Sequence, residues 1–171
     1  MRVEDVVAIA RALEGAKVRY VVVGGVAVAL HGYDRVTYDL DLVIQLQPAN
    51  ILAAFQALKA LGYRPLVPIT AEQFSDPATR TAWIEQKGMM VLNLHSDQHP
   101  ETRVVFFVTE PFDFDREYAD AYVQQLMPGL ALRLATLDTL IAMKKQAGRP
   151  KDLADIEELI GIRDKAHGKK D

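Results

Sequence analysis

Asp39 and Asp41 stand two apart in VTYDLDLVIQ, a stretch whose polar and apolar residues alternate strictly. On a strand, successive side chains point to opposite faces, so the two carboxylates emerge together while Leu40, Leu42 and Ile44 face the core. The strand rise places their Cα atoms roughly 6 to 7 Å apart. Such a pair suits hard divalent cations, which take oxygen ligands. Two cations about 3.5 to 4 Å apart can clamp the attacking and leaving oxygens of a phosphoryl transfer. Upstream lies Gly24-Gly25, where the apolar, β-branched run YVVV ends and a short helical run, VAVALHG, begins. Without Cβ atoms, these glycines let a phosphate approach the backbone. A strand that turns into a helix there presents free N–H groups at the helix's positive end.

The elements that must hold these residues are legible in outline. Val6, Ile9, Ala10 and Leu13 recur at helical spacing over residues 4–14. A strand is expected over 20–23 and another over 36–45. Pro48 opens an amphipathic helix through Ile51, Leu52, Phe55, Leu58 and Leu61, and Gly62 stops it. Thr70 and Gln73 fit a capping box ahead of one helix carrying Phe74 and Trp83, with a turn at Lys87-Gly88. Strands are expected at MMVLNL and RVVFFV, separated by the polar loop HSDQHPET, and EPFDFDREYADAYV should turn and become helical. ALRLA is a last short strand, followed by two helices around Gly148-Arg149-Pro150 and a frayed tail, HGKKD. Strands alternate irregularly with helices. The expected class is therefore α/β in the α+β sense, a mixed sheet with flanking helices.

Composition narrows the function classes. A chain of 171 residues is about one domain and can bury a real core. We expect a single domain over 1–171, with a helical C-terminal part over about 136–165. Hydrophobic residues at 50% and charged residues at 25% are a globular balance, and no apolar run reaches the ~18 to 20 residues that span a bilayer. The N-terminal segment reads as an amphipathic helix, not a secretion signal, so a cytoplasmic location is the expectation. The absence of cysteine removes disulfides, thiolate metal sites and a cysteine nucleophile. A net charge of -3 argues against a broadly basic nucleic-acid binder. The four histidines form no metal motif: His31 ends the short helix near the site, and His95 and His99 share a loop with Pro100.

Gly24, Gly25, Ala27, Arg35, Thr37, Asp39 and Asp41 form the pattern G-G-x-A…R-x-T-x-D-x-D. This resembles the signature of the polymerase-β-like nucleotidyltransferases, and within them the AbiEii/AbiGii toxin group and its small relatives. Lys144, Arg149, Lys151, Asp152 and Asp155 are similar to that group's K…R-x-K-D-x-x-D motif. The two blocks bracket residues 20–160. The resemblance implies that Gly24 and Gly25 hold a nucleoside triphosphate, with Arg35, Thr37 and Lys144 beside it. It implies that Asp39 and Asp41 bind Mg2+ or Mn2+, and that Asp152 assists the acceptor or locks the helical pair. It further implies transfer of a nucleoside monophosphate to a hydroxyl on RNA, such as a tRNA end, or on protein. A cognate antitoxin is the implied partner.

Each residue also has a plainer reading. Arg35 binds phosphate or pairs with Asp34 or Asp39. Thr37 supports the strand by hydrogen bonding. Lys144 is a phosphate contact or an ordinary cation near a helix C-terminus. Asp152 and Asp155 are site residues or simple N-terminal helix acids. Members of the family usually carry a third acid on a neighbouring strand, a general base for the acceptor hydroxyl; here that position is Val105, and the strand before it offers only Asn93. Two functions of different class follow. One is an active transferase; the other is a binding protein that keeps the fold and the nucleotide.

Overall fold

The computed structural model describes residues 1–168, so the end of the HGKKD tail lies outside the described residues. Helix α1 (Val3–Gly15) buries Val6, Ile9, Ala10 and Leu13. It leads into β1 (Tyr20–Val23), whose four residues are all buried, as in a strand covered on both faces. Then come α2 (Gly24–Leu30), β2 (Asp39–Ile44) and α3 (Pro48–Ala60), which has Pro48 in its first turn and is followed by Gly62 at φ +76°. The short β3 (Arg64–Pro65) precedes α4 (Ala71–Ser75) and α5 (Pro77–Lys87). After β4 (Val91–His95) and β5 (Arg103–Phe107) follow α6 (Phe114–Asp120), β6 (Tyr122–Met127) and β7 (Leu130–Leu134). Helices α7 (Leu137–Ala147) and α8 (Pro150–His167) close the described chain.

The sheet is mixed, as expected. Its order is β3-β4-β5-β2-β1-β7-β6. Strand β2 is central, antiparallel to β1 and parallel to β5. Leu40, Leu42 and Ile44 are buried along it, and only Asp39 and Asp41 keep contact with solvent.

Four local expectations are corrected. The second strand starts at Asp39, not Val36, because its ladder with β5 starts at the Asp39–Arg103 pair; Val36 and Tyr38 lie exposed before it. The helix expected to carry both Phe74 and Trp83 is two helices. Thr70 and Gln73 do form the capping box, but the residue before a proline is pushed out of the helical region. Asp76 accordingly sits at ψ 117° and caps α5 through Thr79. The segment expected to stay helical to residue 123 stops at Asp120, and β6 begins two residues later as an edge strand. Finally, His95 ends β4 and is not in the loop with His99.

Candidate active site

Strand register builds the centre of the site. Val23, the last residue of β1, lies opposite Asp41, so the chain enters Gly24 beside that carboxylate. Gly24 has φ +65°, a conformation that costs a residue with a Cβ. A Cβ there would also fall on the Asp41 carboxylate, and one on Gly25 would come within 2.8 Å of Thr37 Oγ1. The double glycine therefore makes room for Asp41 and Thr37, in addition to whatever backbone it offers a ligand. Thr37 in turn donates to the carbonyl of Asp39 at 3.2 Å and steadies the start of β2.

The helical pair supplies the second wall. Arg35 pairs with neither Asp34 nor Asp39; its guanidinium meets Asp155 on α8. Lys144, buried on α7, reaches the same Asp155 carboxylate and lies 3.5 Å from Asp152. Asp152 has no solvent exposure. It accepts from the backbone N–H of Arg149 at 3.1 Å and from Arg149 Nε at 2.8 Å, and the Arg149 hydrogen bonds hold its pKa below the ordinary carboxylate range. Lys144 thus has two carboxylates of its own. Arg149 is the more open cation, with over half of its side chain exposed.

Asp41 is different from these paired acids. Burial, and then the charge of Asp39, push its pKa up to about 6, against weaker opposing pulls from the Gly25 N–H, Arg149 and Lys144. The structure so brings together all eight residues named from the sequence: Gly24, Gly25, Thr37, Asp39 and Asp41 directly, and Arg35, Lys144 and Asp152 through Asp155 and Arg149. It adds two that the sequence reading did not assign to the site. Arg149 acts on Asp41 electrostatically. Arg103 lies opposite Asp39 in the β2–β5 ladder and donates from Nε to its Oδ1 at 2.8 Å. Its signal was available, since Arg103 is two residues before Val105 and shares its strand face. Val105 itself is opposite Asp41, and Asn93 is opposite Val105 on β4.

Two adjacent carboxylates, one made costly to ionise by burial and then by the other, are what a bound cation relieves, and their chemistry fits one hard divalent ion. A third acid is missing from the adjoining strand positions. Among the described residues, no three acidic or histidine side chains are grouped to hold a metal ion.

A seven-stranded mixed sheet with these flanking helices is the nucleotidyltransferase fold. The chain is similar over 99% of its length to the aminoglycoside nucleotidyltransferase ANT(2″)-Ia, whose crystal structure holds adenylyl-2″-tobramycin. The match covers 98% of that chain, with a TM-score of 0.52 and 13% sequence identity, so it is a likeness of fold. No protein-family model matches the chain, and comparison with curated proteins finds no match. Among the described residues, no helix is long and apolar enough to cross a membrane.

Proposed function

We propose that the chain binds a nucleoside triphosphate with Mg2+ or Mn2+ and transfers the nucleoside monophosphate to a hydroxyl acceptor. The observation that carries this reading is the seating of Asp41: a half-buried carboxylate, lodged over Gly24 beside Asp39, with its pKa raised by both burial and its neighbour. A fold has little reason to hold two acids in this way unless a cation joins them. A divalent ion held by Asp39 and Asp41 would neutralise phosphate oxygens and the leaving pyrophosphate. Arg149, exposed and close enough to act on the charge of Asp41, would meet the outer phosphates. Asp152 takes a positioning role, fixing Arg149 and Lys144 through hydrogen bonds and charge. In the transfer, the acceptor oxygen bonds to the α-phosphorus, the bond to the bridging oxygen breaks, pyrophosphate leaves and the hydroxyl proton passes to solvent.

The acceptor classes are RNA, such as tRNA, and protein, both implied by the resemblance to the AbiEii/AbiGii group, with an antitoxin as its regulatory partner. The likeness to ANT(2″)-Ia adds an aminoglycoside as a third acceptor. A second reading, a binding protein without transferase activity, is favoured by one feature: Val105 stands where a general base would face Asp41.

Incubating the protein with each labelled nucleoside triphosphate, Mg2+ or Mn2+, and separately tRNA, lysate protein or tobramycin distinguishes these. Label transferred by the wild type, and lost in Asp39→Asn/Asp41→Asn, supports the transferase and identifies the acceptor. Triphosphate binding without transfer to any acceptor selects the binding protein. Absence of both removes the nucleotide from the account.

A further inference from the structure

We propose that Arg103 is a fixed cation of the nucleotide site, standing where a second divalent ion would sit, so that the chain takes up its triphosphate with one metal ion. The inference rests on the nucleotide reading above. Three observations carry it.

The first is position. Partnered residues on neighbouring strands share a face of the sheet. Arg103 and Val105 are therefore the two β5 side chains beside Asp39 and Asp41. In a two-metal centre this is where further oxygen ligands are needed. Here one position is apolar and the other carries a positive charge already bonded to Asp39.

The second is charge. Two carboxylates, one guanidinium and one divalent ion leave a net charge of plus one. Three carboxylates with two divalent ions leave the same. Exchanging the usual third acid for valine and adding an arginine two residues before it so preserves the field that a triphosphate would meet.

The third is availability. A guanidinium has five N–H donors in a planar fork suited to phosphate. Among the described residues, only Nε of Arg103 donates a side-chain hydrogen bond, to Asp39, which leaves the Nη groups for an anion. The other cations are more committed: Arg35 and Lys144 share Asp155, and Arg149 grips Asp152 with two nitrogens. The Arg103 and Asp39 side chains are 50% and 36% exposed, and a pair so open to water adds little to the fold.

The test is calorimetric, on the full chain, with Mn2+ alone as one probe and a non-hydrolysable triphosphate analogue in chelator as the other. Wild type, Arg103→Gln and Arg103→Lys are compared. Freed of its partner, Asp39 should bind Mn2+ about tenfold more tightly in Arg103→Gln, while metal-free analogue affinity falls about tenfold. Arg103→Lys, which keeps the charge, should stay within about threefold of wild type in both. Unchanged Mn2+ affinity in Arg103→Gln, or two Mn2+ ions per wild-type chain, would overturn the inference. The metal arm needs no nucleotide. If Mn2+ binding shifts as expected and no analogue binds in chelator to any form, Arg103 does not act on a nucleotide and the inference fails, while the metal-dependent nucleotide reading is judged by its own Mg2+ titration. If analogue binds and Mn2+ affinity does not shift, only the role of Arg103 fails.

Discussion

Asp5 and Asp41 are both acids withdrawn from water, and the protein treats them in opposite ways. Asp5 sits on α1 and is nearly enclosed. Burial alone would raise its pKa, but hydrogen bonds from Thr102 and His99 at 2.7 Å, with the charges of His99 and Arg2, outweigh it and hold it low. Tyr63 stacks on His99 and donates to the Thr102 carbonyl, so the cluster ties α1 and the end of α3 to the loop before β5. Among the described residues no side chain donates to Asp41, and burial, then the charge of Asp39, pushes its pKa up to about 6 against the Gly25 N–H. A carboxylate that is fully answered inside the fold is structural. One left short of positive charge beside a second acid is arranged for something that arrives from outside.

That contrast can be broken by mutation, and the largest effect belongs to the answered acids. Asp152→Ala removes the buried carboxylate that holds Arg149 and the farther of the two that face Lys144, which should cost about 3 kcal/mol. Chemical denaturation should show a sharply lower midpoint. A loss below about 1 kcal/mol would mean that Asp152 does not lock the helical pair.

Asp5→Ala should cost about 2 to 3 kcal/mol, because it orphans Thr102 and His99 together. Its pH dependence has a defined sign. Since the folded pKa of Asp5 is below its unfolded value, its contribution is present above about pH 3.8 and is lost as pH falls through the lower folded value. Wild type and variant should therefore converge in strong acid.

Gly24→Ala combines a positive φ with a Cβ falling on the Asp41 carboxylate. A cost of about 1 to 2 kcal/mol is expected, together with loss of Mn2+ binding as Asp41 is displaced. Thermal melting and a metal titration on the same sample would check both, and intact metal binding would show that Asp41 is not confined by the glycine.

The smallest effect has the opposite sign. Asp41 has a folded pKa above its unfolded value, so its contribution to stability is present below about pH 3.8 and is lost as pH rises through about 6. Asp41→Asn removes that penalty. Without metal, the variant should match wild type near pH 4 and exceed it by about 1 kcal/mol at pH 7.5, a rise of about 2 to 4 °C in melting temperature.

The sequence carried the centre of this site because the residues that make it are local. Asp39 and Asp41 share a face by simple alternation, and the glycines sit at a visible strand end. Helices α1, α3 and α7 declared themselves by periodicity and by Pro48, Gly62 and Gly148. What stayed hidden depends on partners far along the chain. Arg103 becomes a site residue only through the β2–β5 register, 64 residues from Asp39. Asp155 joins Arg35 across 120 residues. Strand β6 has no signature of its own beyond two residues at the end of the segment expected to be helical, because an exposed edge strand with Gln124 and Gln125 at its middle shows no apolar alternation. Strand β3, two residues long, has no pattern to find. Pro77 marks the break between α4 and α5, because Asp76 before it is held out of the helical region.

The most direct test of the central claim is a calorimetric titration of each nucleoside triphosphate, with Mg2+, into wild type and Asp41→Asn at pH 7.5. The wild type should show one saturable site for at least one triphosphate, and the variant, folded and no less stable without metal, should show none. Equal binding by both proteins, or a variant destabilised like Asp5→Ala, would contradict it and make Asp41 one more structural acid.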